Sequence, residues 1–144
     1  QTKLKDEMNN GNEVLALELK RELMLTRSIE YLSRGRLYLS QSNFGLARGD
    51  VQSARDLLAQ LQSDAPDYQV DAFGKIITHL DMALGNLPSF PVIAVDDVDI
   101  AWQLLMNGLP QSSEEAMATQ TPSVELTISP TTTLEATPAV TPTP

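Results

Sequence analysis

The chain has no cysteine, which removes disulfides, thiolate metal ligands and a cysteine nucleophile. It has a single histidine, His79. One imidazole makes no metal site, and a catalytic base needs a nucleophile or an orienting carboxylate beside it. Asp71 and Asp81, the nearest acids, fall on other faces of a helix through His79. No apolar run is long enough to span a bilayer and no signal peptide is visible. Basic charge is scarce beyond the midpoint: residues 63–144 hold one basic side chain, Lys75, against eleven acids, while residues 1–62 hold nine basic and eight acidic. Phosphate-backbone binding needs clustered Lys and Arg, so nucleic acid is excluded as a partner. There is no Gly-rich phosphate loop, serine elbow or histidine pair. No cofactor and no metal are expected, and the chain is expected not to be an enzyme.

What is present is helix-forming sequence. From about Glu13 to Arg48, Leu, Glu, Lys, Arg and Met dominate without proline. Leu25, Ile29, Leu32 and Leu39 recur at spacings of three and four. Leu17, Met24, Tyr31 and Tyr38 follow a strict seven on a neighbouring face, so this helix carries more apolar surface than one partner covers. Ser28, Gly35 and Ser42 between the leucines permit a close helix approach. Asn9-Asn10-Gly11-Asn12 reads as a break or frayed end, so residues 1–12 are expected to be frayed or to continue a coiled coil.

Three shorter helices follow. Gly49-Asp50 fits a helix stop and the next N-cap. The second helix runs to about Gln62 with Val51, Ala54, Leu57, Leu58 and Leu61 on one face. Pro66 opens the third, whose stripe is Phe73, Ile76, Ile77, Leu80 and Leu84, and Gly85-Asn86-Leu87-Pro88 ends it. The fourth is expected from near Asp96 to Asn107, stapled by Val95 and Ile100, with Val98, Ala101, Trp102 and Leu105 inward. No run alternates with period two. The fold class is all-α: a long first helix and three shorter antiparallel helices over residues 13–109. Residues 110–144 hold nine Thr, six Pro and four Ser without Lys or Arg; such a segment buries too little apolar surface to order itself and reads as a disordered tail.

Several short patterns have both a chemical and a structural reading. Arg48-Gly49-Asp50 is a tripeptide that adhesion proteins present on protruding loops, but here helical patterns press on it from both sides and it reads as a bend. Asp96, Asp97 and Asp99 offer hard-cation oxygens; acids at a helix N-terminus also complement its dipole, and no twelve-residue loop with a closing glutamate follows. Trp102 reads as packing before ligand stacking. Arg27, Arg34, Arg36 and Arg48 form a basic cluster that suits anionic lipid or, by our reading, the acidic second half of the same chain.

Gly49-Asp50-Val51, Ala54, Leu58 and Pro66, with Tyr38 upstream, resemble the second half of a tetratricopeptide repeat. Gln41 and Gly45 depart from that pattern, and no copy follows at 34 residues. The resemblance spans residues 38–68 and implies a hairpin turning at Gly49 and Asp50, packed by Ala54 and closed by Pro66. The Thr-Pro rhythm of the tail resembles linkers of bacterial cell-envelope proteins, which implies an extracytoplasmic setting; a chain beginning with Gln is expected to be a fragment or processed product, with membrane attachment only through an anchor upstream. The expected function is a non-enzymatic protein–protein interaction or scaffolding module with a protein or peptide partner. The alternative is a structural coiled-coil module that self-associates through the first helix.

Overall fold

A computed structural model describes residues 2–120, and all regular structure among the described residues is α-helix. Five helices follow one another: α1 (Thr2–Ser40), α2 (Phe44–Ser63), α3 (Asp67–Asn86), α4 (Pro91–Met106) and α5 (Ser113–Gln120). Connections of a few residues force antiparallel neighbours. Thus α2 packs along α1, α3 along α2 and α4 along α3, and α4 closes the ring against α1 over a smaller contact.

The first turn lies at residues 41–43, not at Gly49-Asp50. Ser42 takes the left-handed conformation (φ 58°), the amide of Ser42 donates to Leu39 O at 3.1 Å and that of Asn43 to Tyr38 O at 2.8 Å. These bonds satisfy the last carbonyls of α1, the usual duty of a left-handed cap. Gly49 and Asp50 instead sit inside α2. Gly49 is exposed with open space at its missing Cβ. Asp50 is 6% exposed and belongs to an ion pair rather than a cap. A glycine followed by an aspartate has the same sequence signature in either role; only the partner separates them.

Two other boundaries differ from expectation. Asn9 to Asn12 do not break α1, which is helical from Thr2. The helix α4 starts at Pro91 rather than near Asp96, because proline at the first helical position has its φ preset and loses no needed donor. At the other end, residues 113–120 form α5 instead of belonging to the tail. Ser112 Oγ accepts the Glu115 amide at 3.2 Å, and a Glu115 carboxylate oxygen accepts the Gln111 amide at 2.9 Å, a close variant of the capping box. The rest of the expected tail, 121–144, lies outside the described residues.

The core is built from small and large residues that interlock. Ala47, Val51, Ala54 and Leu58 of α2 are fully buried, as are Ala94, Val98 and Ala101 of α4, with Leu105 nearly so. These are one pattern used twice, 47 positions apart (47 to 94, 51 to 98, 54 to 101, 58 to 105), and Asp50 and Leu57 recur with it as Asp97 and Leu104. On the helices before them, buried Ser28, Leu32, Gly35 and Leu39 match buried Ile76, Leu80, Ala83 and Leu87 at an offset of 48. The bundle is therefore two hairpins of like pattern, with a period of 47 to 48 rather than 34. Gly35 shows why the alternation matters: a Cβ there would lie 3.4 Å from both Asp50 Cβ and Val51 Cγ2, so α1 and α2 approach closely at that level.

Candidate functional site

Three ion pairs and one histidine–carboxylate hydrogen bond join different helices, two of them within a hairpin and two between the hairpins. Arg34 donates to both carboxylate oxygens of Asp50, at 2.8 and 2.6 Å, and its guanidinium lies 5.5 Å from the Tyr31 ring centroid. The hydrogen bonds and charge of Asp50 hold the guanidinium protonated well beyond its ordinary range. In the second hairpin His79 Nδ1 and Asp97 Oδ1 share a hydrogen bond at 3.1 Å, so the two recurrent aspartates each find a partner on the preceding helix. Between hairpins, Arg36 donates to Asp99 at 3.0 Å and Arg55 to Asp81 at 2.8 Å. The bond to Asp81 raises the Arg55 pKa. Both of these pairs join a cation of the near-neutral first half to an acid of the acidic second. Among the described residues no buried side-chain polar atom lacks a partner.

These pairings account for the short patterns. The Arg48-Gly49-Asp50 tripeptide is helical, and its aspartate is committed to Arg34. Asp97 and Asp99 turn to His79 and Arg36, and among the described residues no three metal-ligating side chains come together. Trp102 is half-buried beneath the Arg36 guanidinium, 4.8 Å from its ring centroid. The two residues lie in a groove of about 900 Å³ along the looser α1–α4 seam, lined also by Ile29, Leu37 and Val95.

The expected interaction face of α1 divides. Met24, Tyr31 and Tyr38 are half-buried and pack on the bundle's own core. Leu17 is 61% exposed. Ala54 is in the core and Pro66 is the N-cap of α3. The larger surface was not anticipated. Residues 2–20 include no buried or half-buried side chain, yet they carry Leu4, Met8, Val14, Leu15, Leu17 and Leu19, each more than half exposed. Arg21 marks the edge, donating to Asp64 O at 2.8 Å, where a cation meets the carbonyl end of α2. Beyond it α1 projects from the bundle as a free helical arm, about 28 Å long at 1.5 Å per residue. Neither hairpin needs this arm: α3 begins at residue 67, which corresponds to residue 19 of α1 on the 48-residue offset, so residues 2–18 have no counterpart. Reading Asn9 to Asn12 as a break concealed it. The signal that was there is Leu4, Met8, Leu15 and Leu19 at spacings of four, seven and four.

No helix among the described residues is long and apolar enough to cross a membrane. No family model matches the chain, and neither does any curated protein or solved structure.

Proposed function

We propose that the protein is a non-enzymatic interaction module: a four-helix bundle that holds out the N-terminal arm of α1 to dock on another polypeptide. One observation carries the reading. An arm of 19 helical residues exposes six large apolar side chains while the bundle below it is complete without them. Short isolated helices are marginal in water, and most helix stability comes from packing an apolar face. A helix of this kind gains that packing from a partner laid along it, the recurring helix-on-helix mode of recognition. The Thr/Pro-rich composition of the tail supports a setting in the cell envelope or outside the cytoplasm.

A photo-reactive residue placed at Leu15, in cells producing the full chain, tests the reading. Adducts of protein size are expected at that position and not from the same residue at exposed Thr78 on α3. Equal labelling at the two positions, or none at Leu15, removes the arm as the docking element.

A further inference from the structure

We infer that the arm's partner is a second copy of this chain, the two arms lying parallel and in register; this rests on the docking role proposed above. On the helical wheel Leu4, Met8, Leu15 and Leu19 fall on one stripe, 64 to 69% exposed. At about 100° per residue, that stripe lies on the far side of α1 from the face bearing Ser28, Leu32 and Leu39. Two arms meeting along it therefore carry their bundles on the outside, without collision. Each such side chain offers on the order of 100 Å² of apolar surface. Four per copy, with the adjoining Leu23, bring the pair to roughly the 1,000 Å² that a specific interface requires.

Charge selects the direction. Lys5 and Lys20 lie on one side of the stripe, with Glu13 farther round, and Glu7, Glu18 and Glu22 on the other, with Lys3 farther round, so the first side is net basic and the second net acidic. A two-fold axis along parallel helices turns the basic side of one copy to the acidic side of the other. Lys5 then sits beside the second copy's Glu7, and Lys20 beside its Glu18 and Glu22. In the antiparallel pair the two-fold runs across the helices, and like sides meet: Lys5 approaches Lys20, and Glu7 approaches Glu18 and Glu22. Opposite charges flanking an apolar seam set orientation in just this way.

The experiment is light scattering on the full chain over a wide concentration range, together with its Leu15→Glu, Leu19→Glu double variant. The parent is expected at twice the 15.7 kDa chain mass, and the variant at the single-chain mass with an unchanged bundle melting transition. Because the chain has no cysteine, Leu4→Cys reports direction: parallel arms bring the two sulfurs together and a covalent dimer forms under mild oxidation. Antiparallel arms leave them about 25 Å apart along the axis. A parent that stays single at every concentration, a dimer indifferent to the double variant, or a Leu4→Cys dimer that does not cross-link each overturns the inference. A single chain that still gives adducts at residue 15 in cells leaves the docking role standing with another polypeptide; no adducts there removes both.

Discussion

Residues 2–20 and 21–40 of α1 belong to one uninterrupted helix, and both are rich in Leu, Glu and a basic residue, Lys in the first and Arg in the second. The second stretch buries Ser28, Leu32, Gly35 and Leu39; the first buries nothing. The difference lies in what stands opposite. The lower stretch has small residues at the levels where Asp50 and Val51 of α2 come closest, so two backbones can approach and the large side chains interlock around them. The upper stretch has four leucines against five in the lower and no helix across from it. Helix propensity made the two continuous, and only packing made them different. The apolar side chains of this arm are therefore left exposed in the described chain.

The contrast is broken most sharply by truncating one leucine in each region. Leu58→Ala, at a fully buried site, is expected to cost about 3–5 kcal/mol through lost transfer energy and a residual cavity. Leu15→Ala is expected within about 0.5 kcal/mol in chemical denaturation of the single-chain bundle, as for a surface position. Equal losses would mean that the arm folds back on the bundle.

Glycines in the same two stretches sharpen it further. Gly35→Leu drives atoms past a Cβ that already meets Asp50 and Val51 at 3.4 Å, an overpacking worth about 1–3 kcal/mol. At Gly11 nothing lies within 4 Å, so Gly11→Ala should only remove glycine's cost in a helix, a gain of roughly 0.5–1 kcal/mol in local helix stability. Far-UV circular dichroism checks both: melting falls for the first, and helical signal rises for the second.

The smallest effect is expected at the ion pair of the packed half. Arg34→Gln leaves Asp50 in place with 6% exposure and no cation, so the melting temperature should fall. Solvent at the half-exposed arginine screens the loss. The added change Asp50→Asn should restore most of it, since the stranded charge is the source of the penalty. Arg27→Gln, on an exposed face, serves as the reference and should leave melting unchanged.

Much of the bundle was legible in the residues. Periodic apolar spacing marked four helices and the inward faces of α2 and α3; Pro66 at the start of α3 and Asn107 at the end of α4 lie where they were expected. Of the expected basic cluster, Arg36 reaches the acidic second half at Asp99, whereas Arg34 pairs with Asp50 in its own half, and the other link between the hairpins, Arg55–Asp81, comes from outside the cluster. The turn between α1 and α2 was not legible, because Gly49-Asp50 is a stronger local stop signal than Gln41-Ser42-Asn43. It was overruled by a contact sixteen residues away, Arg34 to Asp50, that no local rule registers. The two-hairpin repeat was present in the sequence at 47 to 48 residues but carried by four buried positions per helix, too few to stand out until burial singled them out.

The sequence by itself determined that this chain is all-α, which faces of its helices are apolar, and that its two halves differ in charge, because those properties follow from local spacing and composition. Where α1 turns, which aspartate is buried, that Met24, Tyr31 and Tyr38 serve the bundle, and that Leu4, Met8, Leu15 and Leu19 are left over were decided only by tertiary structure. An apolar side chain carries the same periodic signal whether or not a helix stands opposite it; burial is a property of the pair.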